Sequence, residues 1–208
     1  MSEPEPLVVY SDYVCPFCYL GKRSLEAYLA DAEDPPEVEW RAFDLRRHKR
    51  GPDGEIDPGI DDGKDEAYFQ RARDNVERLA EEYDVDMTWD VDRDIDSWDA
   101  HKLSIHAQEE HGQDGFERLH EAIFTALWRD GRDIGDEDVL VELAAEAGIG
   151  QDEARQALGS EALDEEVSQR FQQAHRSGVT GVPTFIRGEL RVPGAVPPED
   201  IAQIVENA

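Results

Sequence analysis

Cysteine is nearly absent from this sequence. Its 208 residues contain two, Cys15 and Cys18. Two cysteines three positions apart cannot form a structural disulfide framework. A bond between them would close so small a loop that it removes little entropy from the unfolded chain. The pair is a poor staple, so chemistry explains it better. Lysine is also scarce, with only Lys22, Lys49, Lys64 and Lys102. Arginine supplies most of a positive charge that totals 21, against 50 carboxylates, for a formal net charge of -29. A surface this acidic repels DNA, RNA and anionic membranes, and none of these is expected as a partner. No apolar run is long enough to span a bilayer. The start, Met1-Ser2-Glu3-Pro4-Glu5-Pro6, lacks the basic flank and apolar stretch of a secretory signal, so a cytoplasmic location is expected. The acid is spread along the whole chain rather than gathered in a tail. Self-repulsion on that scale destabilises a compact state at low ionic strength. Molar salt cuts its range to about 3 Å. The composition therefore predicts a protein suited to a salt-filled cytoplasm.

What the chain does have is regular apolar patterning. Leu7-Val8-Val9-Tyr10 reads as a buried first strand. From Cys15 the pattern turns helical, with Pro16 at the first helical position, where its missing N–H costs nothing. Pro35-Pro36 ends that helix, and Val38-Glu39-Trp40-Arg41-Ala42-Phe43 alternates as a second strand. Residues 46–63, rich in Gly, Pro and Asp, read as a long surface loop. Helical periodicity then covers 66–83, 99–111, 115–128, 136–147, 151–158 and 163–177. After Gly178 the chain returns to β character. Thr184-Phe185-Ile186 and Leu190-Arg191-Val192 flank Arg187-Gly188-Glu189, a hairpin turn. A helix over 198–205 closes the chain. The order is β-α-β, a helical block, then β-β-α. Neither sheet fragment buries both faces alone, so one sheet with a helical insertion is the natural solution. The expected division is 5–60 with 179–208 for the sheet domain and 61–178 for the insertion.

A strand followed by Cys15-Pro16-Phe17-Cys18 at a helix start is a specific arrangement. Free N–H groups and the helix dipole stabilise negative charge at the first cysteine. Cys15 is therefore expected to be the exposed, attacking thiolate. Cys18, one turn later and more buried, would resolve the mixed disulfide. A zinc site on this pair would need further ligands. There is no second cysteine pair, and His101, His106, His111, His120 and His175 fall inside the helical block rather than in a short Cys/His cluster. No metal and no cofactor are expected. His101, His106 and His111 recur every five residues, which does not place them on one helical face. Spacing alone makes Pro183 a strand-edge residue.

Taken together, Val9-Tyr10-Ser11-Asp12-Tyr13-Val14-Cys15-Pro16-Phe17-Cys18-Tyr19-Leu20-Gly21 and Gly181-Val182-Pro183-Thr184-Phe185 resemble the DsbA-like branch of the thioredoxin superfamily. Within it the chain is similar to the FrnE group of dithiol oxidoreductases. Trp98-Asp99-Ala100-His101-Lys102-Leu103 and Gly131-Arg132-Asp133-Ile134-Gly135-Asp136 add to the likeness. The resemblance implies an α/β thioredoxin-like fold with a large inserted α-helical lobe. It implies a cis Val182-Pro183 peptide facing the dithiol, with Val182 available for strand-like pairing with substrate. It also implies that Pro16, Phe17, Val182, Pro183 and the helical lobe shape the substrate groove. Phe17 stands where the FrnE pattern often has Trp, and Asp99 where Asn is commoner. The implied activity is protein disulfide reduction or isomerisation. Its partners would be disulfide- or thiol-bearing proteins or small thiols, with a recycling reductant. The competing reading is a 2-hydroxychromene-2-carboxylate isomerase or kappa-class glutathione transferase working through a bound small thiol. Such enzymes typically present serine near this position, and two cysteines weigh against them.

Overall fold

The structure, a computed structural model, describes residues 5–51, 54–61 and 63–207. The strands are β1 (Leu7–Ser11), β2 (Val38–Ala42), β3 (Thr184–Arg187) and β4 (Leu190–Pro193). They form one sheet in the order β2-β1-β3-β4. β1 and β2 run parallel, whereas β3 is antiparallel to both β1 and β4. A parallel neighbour needs a crossover. That crossover is α1 (Pro16–Asp31), whose N-terminus therefore starts at the carboxyl end of β1. The β3–β4 hairpin closes through Gly188 and Glu189, with Gly188 at φ 55°, a conformation glycine adopts without cost.

The chain divides into two units. The first comprises the described parts of Met1–Leu45, Lys64–Val85 and Ala174–Ala208, and the second those of Arg46–Gly63 and Asp86–Gln173. In the first unit a buried cluster lies on each face of the central strands, and β1 sorts its side chains accordingly. Leu7 and Val9 meet Leu25 of α1, Phe185, and Ile201 and Ile204 of α7 (Pro198–Glu206). Val8 and Tyr10 point the other way, against Phe43, Ala174 and Val179. The period-two pattern of β1 is thus read by two different cores.

The second unit is helical: α3 (Trp98–Trp128), α4 (Glu137–Glu146), α5 (Gln151–Leu158) and most of α6 (Glu161–Arg176). α3 is interrupted at Gly112, where φ 66° and ψ −167° leave the helical region. The sequence reading of two helices, 99–111 and 115–128, meets at this break. Asp136 caps α4 by accepting from the Asp138 and Val139 amides.

The compact units divide the chain differently from the expected domains at two places. α2 (Glu66–Glu82) belongs to the sheet unit. It packs on α1, burying Val76, Leu79 and Ala80, and Tyr83 just beyond it donates to the Ala195 carbonyl at 3.1 Å. Conversely, the described residues of 46–60 belong to the helical unit. Lys49 pairs with Asp94 at 2.7 Å, and the Arg50 guanidinium takes both oxygens of Asp96 at 2.7 and 2.8 Å while stacking 4.9 Å over Trp98. Oxygen pairs and aromatic stacking bind that loop to the start of α3 more firmly than its composition suggests.

Candidate active site

The two cysteines sit where β1 hands over to α1. Asp12-Tyr13-Val14-Cys15 forms the turn: the Cys15 amide donates to the Asp12 carbonyl at 3.2 Å, and the Val14 amide to Asp12 Oδ1 at 3.2 Å. An aspartate side chain that accepts from the amide two residues on closes an Asx turn. The other oxygen, Oδ2, accepts from the Leu45 amide at 2.7 Å, just beyond β2. Asp12 is fully buried. One carboxylate thus ties together the loops that leave two neighbouring strands.

Cys15 is the N-cap of α1, with extended backbone (φ −98°, ψ 113°) and Pro16 following in the first turn. Its carbonyl accepts from the Cys18 and Tyr19 amides at 3.0 and 3.3 Å, which begins the helix. Cys18 lies three residues on, on the same face of the helix. Both cysteines are free thiols. Burial, then the hydrogen bond to Cys15 and the repulsion from its charge, push the Cys18 thiol well above its usual range. The Asp12 main-chain N–H and the Ser11 hydroxyl oppose that shift. These surroundings favour the protonated form of Cys18.

The cis-proline segment comes to this pair from the far end of the sequence. The Val182–Pro183 peptide is cis, as the resemblance implies. Cys15 Sγ lies 3.5 Å from the Val182 carbonyl oxygen. The segment is pinned on both sides. Thr184 Oγ1 donates to the Gly181 carbonyl at 2.7 Å, and the Gly194 amide to the Pro183 carbonyl at 2.8 Å. The Pro183 ring rests on α1 at Gly21, where an added Cβ would stand 3.1 Å from Pro183 Cγ and 3.4 Å from Phe185 Cζ. Glycine in a helix interior costs about 1 kcal/mol relative to alanine; here it lets the proline segment approach the helix.

All six candidate residues, Cys15, Cys18, Pro16, Phe17, Val182 and Pro183, fall in the sheet unit. Cys15, Cys18 and Val182-Pro183 are brought together directly. Pro16, Phe17 and Val182 are half-buried and offer partial surface beside them. One expectation fails: Cys15 is not exposed. It is 3% accessible, against 1% for Cys18. The cap position directs its sulfur under the Val182 carbonyl rather than outward. The two thiols are distinguished by surroundings, not by exposure. His101 lies buried in the helical unit, edge-on to Phe171 at 5.2 Å.

Sequence reading missed Asp12 and Gly21 as site residues. The signal for Asp12 was an acid directly after an apolar strand and two residues before Val14, the spacing of an Asx turn. The signal for Gly21 was a glycine inside a helical pattern without a break.

The DSBA-like thioredoxin domain matches residues 6–206. YwbO of Bacillus subtilis (strain 168) is 31% identical over 188 residues, covering 90% of this chain and 88% of its own. The probable DsbA oxidoreductase SCO1869 of Streptomyces coelicolor is similar in structure, with a TM-score of 0.79 and 30% identity over 98% of this chain and 89% of its own. The cytosolic disulfide reductase DsbM of Pseudomonas aeruginosa, solved with GSH, shares the fold at a TM-score of 0.66 and 21% identity, over 97% of this chain and 98% of its own.

Proposed function

Because the chain belongs to the DSBA-like thioredoxin domain family, we propose that it is a thiol–disulfide oxidoreductase of the protein disulfide reductase or isomerase type, within the FrnE-like branch. The observation that carries this reading is the meeting of Cys15 Sγ, at the N-cap of α1, with the Val182 carbonyl beside Pro183. A substrate strand pairing with Val182 would take over the carbonyl that Cys15 now holds. Docking would thereby free the attacking sulfur at the moment substrate arrives.

In the reducing direction, Cys15 Sγ as thiolate attacks a substrate disulfide. A bond forms from Sγ to one substrate sulfur, and the other leaves as a thiolate that takes a proton from water. Cys18 then gives up its proton and attacks Cys15 Sγ. The Cys15–Cys18 bond forms and the second substrate thiolate leaves. The substrate gains two electrons and two protons, and the enzyme becomes the disulfide. A dithiol reductant, or two equivalents of a small thiol, returns the two electrons. In isomerisation the first thiolate released re-attacks within the substrate, and no net electrons are needed. The setting we propose is a salt-rich cytoplasm, where a reduced resting state favours these directions over bulk disulfide formation.

Insulin reduction in molar KCl with a dithiol reductant tests the reading. Cys15→Ser should abolish turnover. Cys18→Ser should accumulate a mixed disulfide between Cys15 and substrate, visible as a mass adduct. Equal turnover by the parent and Cys15→Ser would overturn the proposal. Turnover of 2-hydroxychromene-2-carboxylate with added glutathione, undiminished in Cys18→Ser, would favour the small-thiol isomerase instead.

A further inference from the structure

A second constellation lies in the helical unit and uses no residue of the dithiol site. His106 Nε2 and His111 Nε2 both approach the same oxygen, Glu153 Oε1, at 3.0 and 2.6 Å. Ligand atoms of all three side chains lie within 4.8 Å of one another. On an unbroken helix, residues five apart point about 140° away from each other. Both imidazoles nonetheless reach one carboxylate oxygen, and regular helix ends immediately after His111, at Gly112. Gly115 completes the arrangement: a Cβ there would collide with His111 Cβ. Glu153 comes from the first turn of α5, two residues after Gln151. Two glycines thus flank the site: one interrupts the helix beside His111, and the other leaves room for the His111 side chain.

We propose that His106, His111 and Glu153 form a binding site for a divalent first-row transition ion, of which Zn2+ is the reference. Two imidazole nitrogens and one carboxylate oxygen, with water in a fourth position, are a standard Zn2+ donor set. Metal bonds of about 2.0–2.2 Å in a tetrahedron set ligand atoms roughly 3.3 Å apart. The two His–Glu separations, 3.0 and 2.6 Å, are shorter than this and the third lies within 4.8 Å, so an ion would replace the two hydrogen bonds as the side chains rotate around it. The side chains are 17, 27 and 37% accessible, so the site is rooted in the helices and open on one side to the water ligand. The imidazoles also set selectivity. Mg2+ and Ca2+ prefer all-oxygen shells and have abundant carboxylates elsewhere on this surface, whereas nitrogen donors favour Zn2+ and its neighbours. The ion would clamp the break in α3 to the start of α5.

Two neighbouring thiols can take up Zn2+ on their own account, so the test uses the full chain carrying Cys15→Ser and Cys18→Ser, in molar KCl with excess Mg2+ to occupy surface carboxylates. Titration calorimetry with Zn2+ should give one equivalent per chain. A hundredfold excess over the dissociation constant should raise the melting temperature by about 5 °C or more. Co2+ in place of Zn2+ should give visible d–d absorption. His111→Gln and Glu153→Gln, the second keeping size and an acceptor if the first disturbs folding, should each weaken Zn2+ binding by more than the roughly tenfold that even an outer-shell loss causes. His48→Gln should bind as the parent does. Absence of a saturable equivalent under Mg2+ competition, or equal Zn2+ affinity in parent, His111→Gln and Glu153→Gln, would overturn the proposal.

Discussion

At the scale of single residues, the buried carboxylate of Asp12 organises the dithiol. It is fully buried, and its two oxygens serve the Val14 and Leu45 amides while its carbonyl serves Cys15. Removing one partner of a buried hydrogen bond strands the other, at about 1–3 kcal/mol per group. Asp12→Ala strands two amides, so it should destabilise the protein by roughly 2–5 kcal/mol. Asp12→Asn keeps the shape but turns an NH2 toward one of the two donors, and should lose an intermediate amount. Both changes loosen the turn that sets Cys15, so alkylation of Cys15 should change together with the urea midpoint. Parent-like stability in Asp12→Ala would show that the carboxylate does not hold this turn. Cys18 makes the complementary point. Its burial in the first turn of α1, beside Cys15, favours the protonated form of its thiol, as the proposed resolving role requires.

At the scale of elements, α1 has two jobs: it presents Cys15 at its start and receives Pro183 at Gly21. The second job depends on a missing side chain. Gly21→Val would place branched carbons where even a Cβ meets Pro183 Cγ at 3.1 Å. Overpacking of this kind costs about 1–3 kcal/mol. It should also displace Val182 from Cys15, so insulin reduction should fall by more than the stability loss explains. A Gly21→Val protein with parental kcat/KM in insulin reduction would remove the claim that this contact positions the proline segment. Much of the element order was legible in the sequence, because β1, the helix beginning at Cys15, and the β3–β4 hairpin are marked by local patterns and punctuating residues. The partnership of Cys15 with Val182 came from resemblance, since 167 residues separate them and no periodicity spans that distance. The allegiance of α2 was not legible. An amphipathic face says that a helix packs, not on what. Nor was the meeting of His106 with His111, because a five-residue spacing argues against it and no local pattern brings Glu153 of α5 to them.

At the scale of the whole molecule, the sign of the salt response separates two kinds of electrostatics. Ion pairs are plentiful on this surface, among them Arg73–Glu77, Arg78–Glu82 and Arg129–Asp130. Pairs this exposed contribute about 0–1 kcal/mol each, and salt weakens them. If they dominated, added salt would lower the melting temperature. The net charge of -29 acts the other way. Its repulsion is summed over the whole chain and disfavours the compact state, and salt relieves it. Twenty-one basic residues cannot neutralise 50 acidic ones, so even complete pairing leaves the repulsive excess. Raising KCl from about 0.1 M, where the Debye length is about 10 Å, to molar levels, where it is about 3 Å, should therefore raise the melting temperature. A gain of roughly 10 °C corresponds to a few kcal/mol for a chain of this size. Thermal melts in KCl, repeated at matched osmolality with a neutral solute, separate screening from general exclusion effects. A melting temperature that falls or stays flat across the KCl series would mean that the paired charges outweigh the excess, and the case for a salt-rich cytoplasm would fall with it.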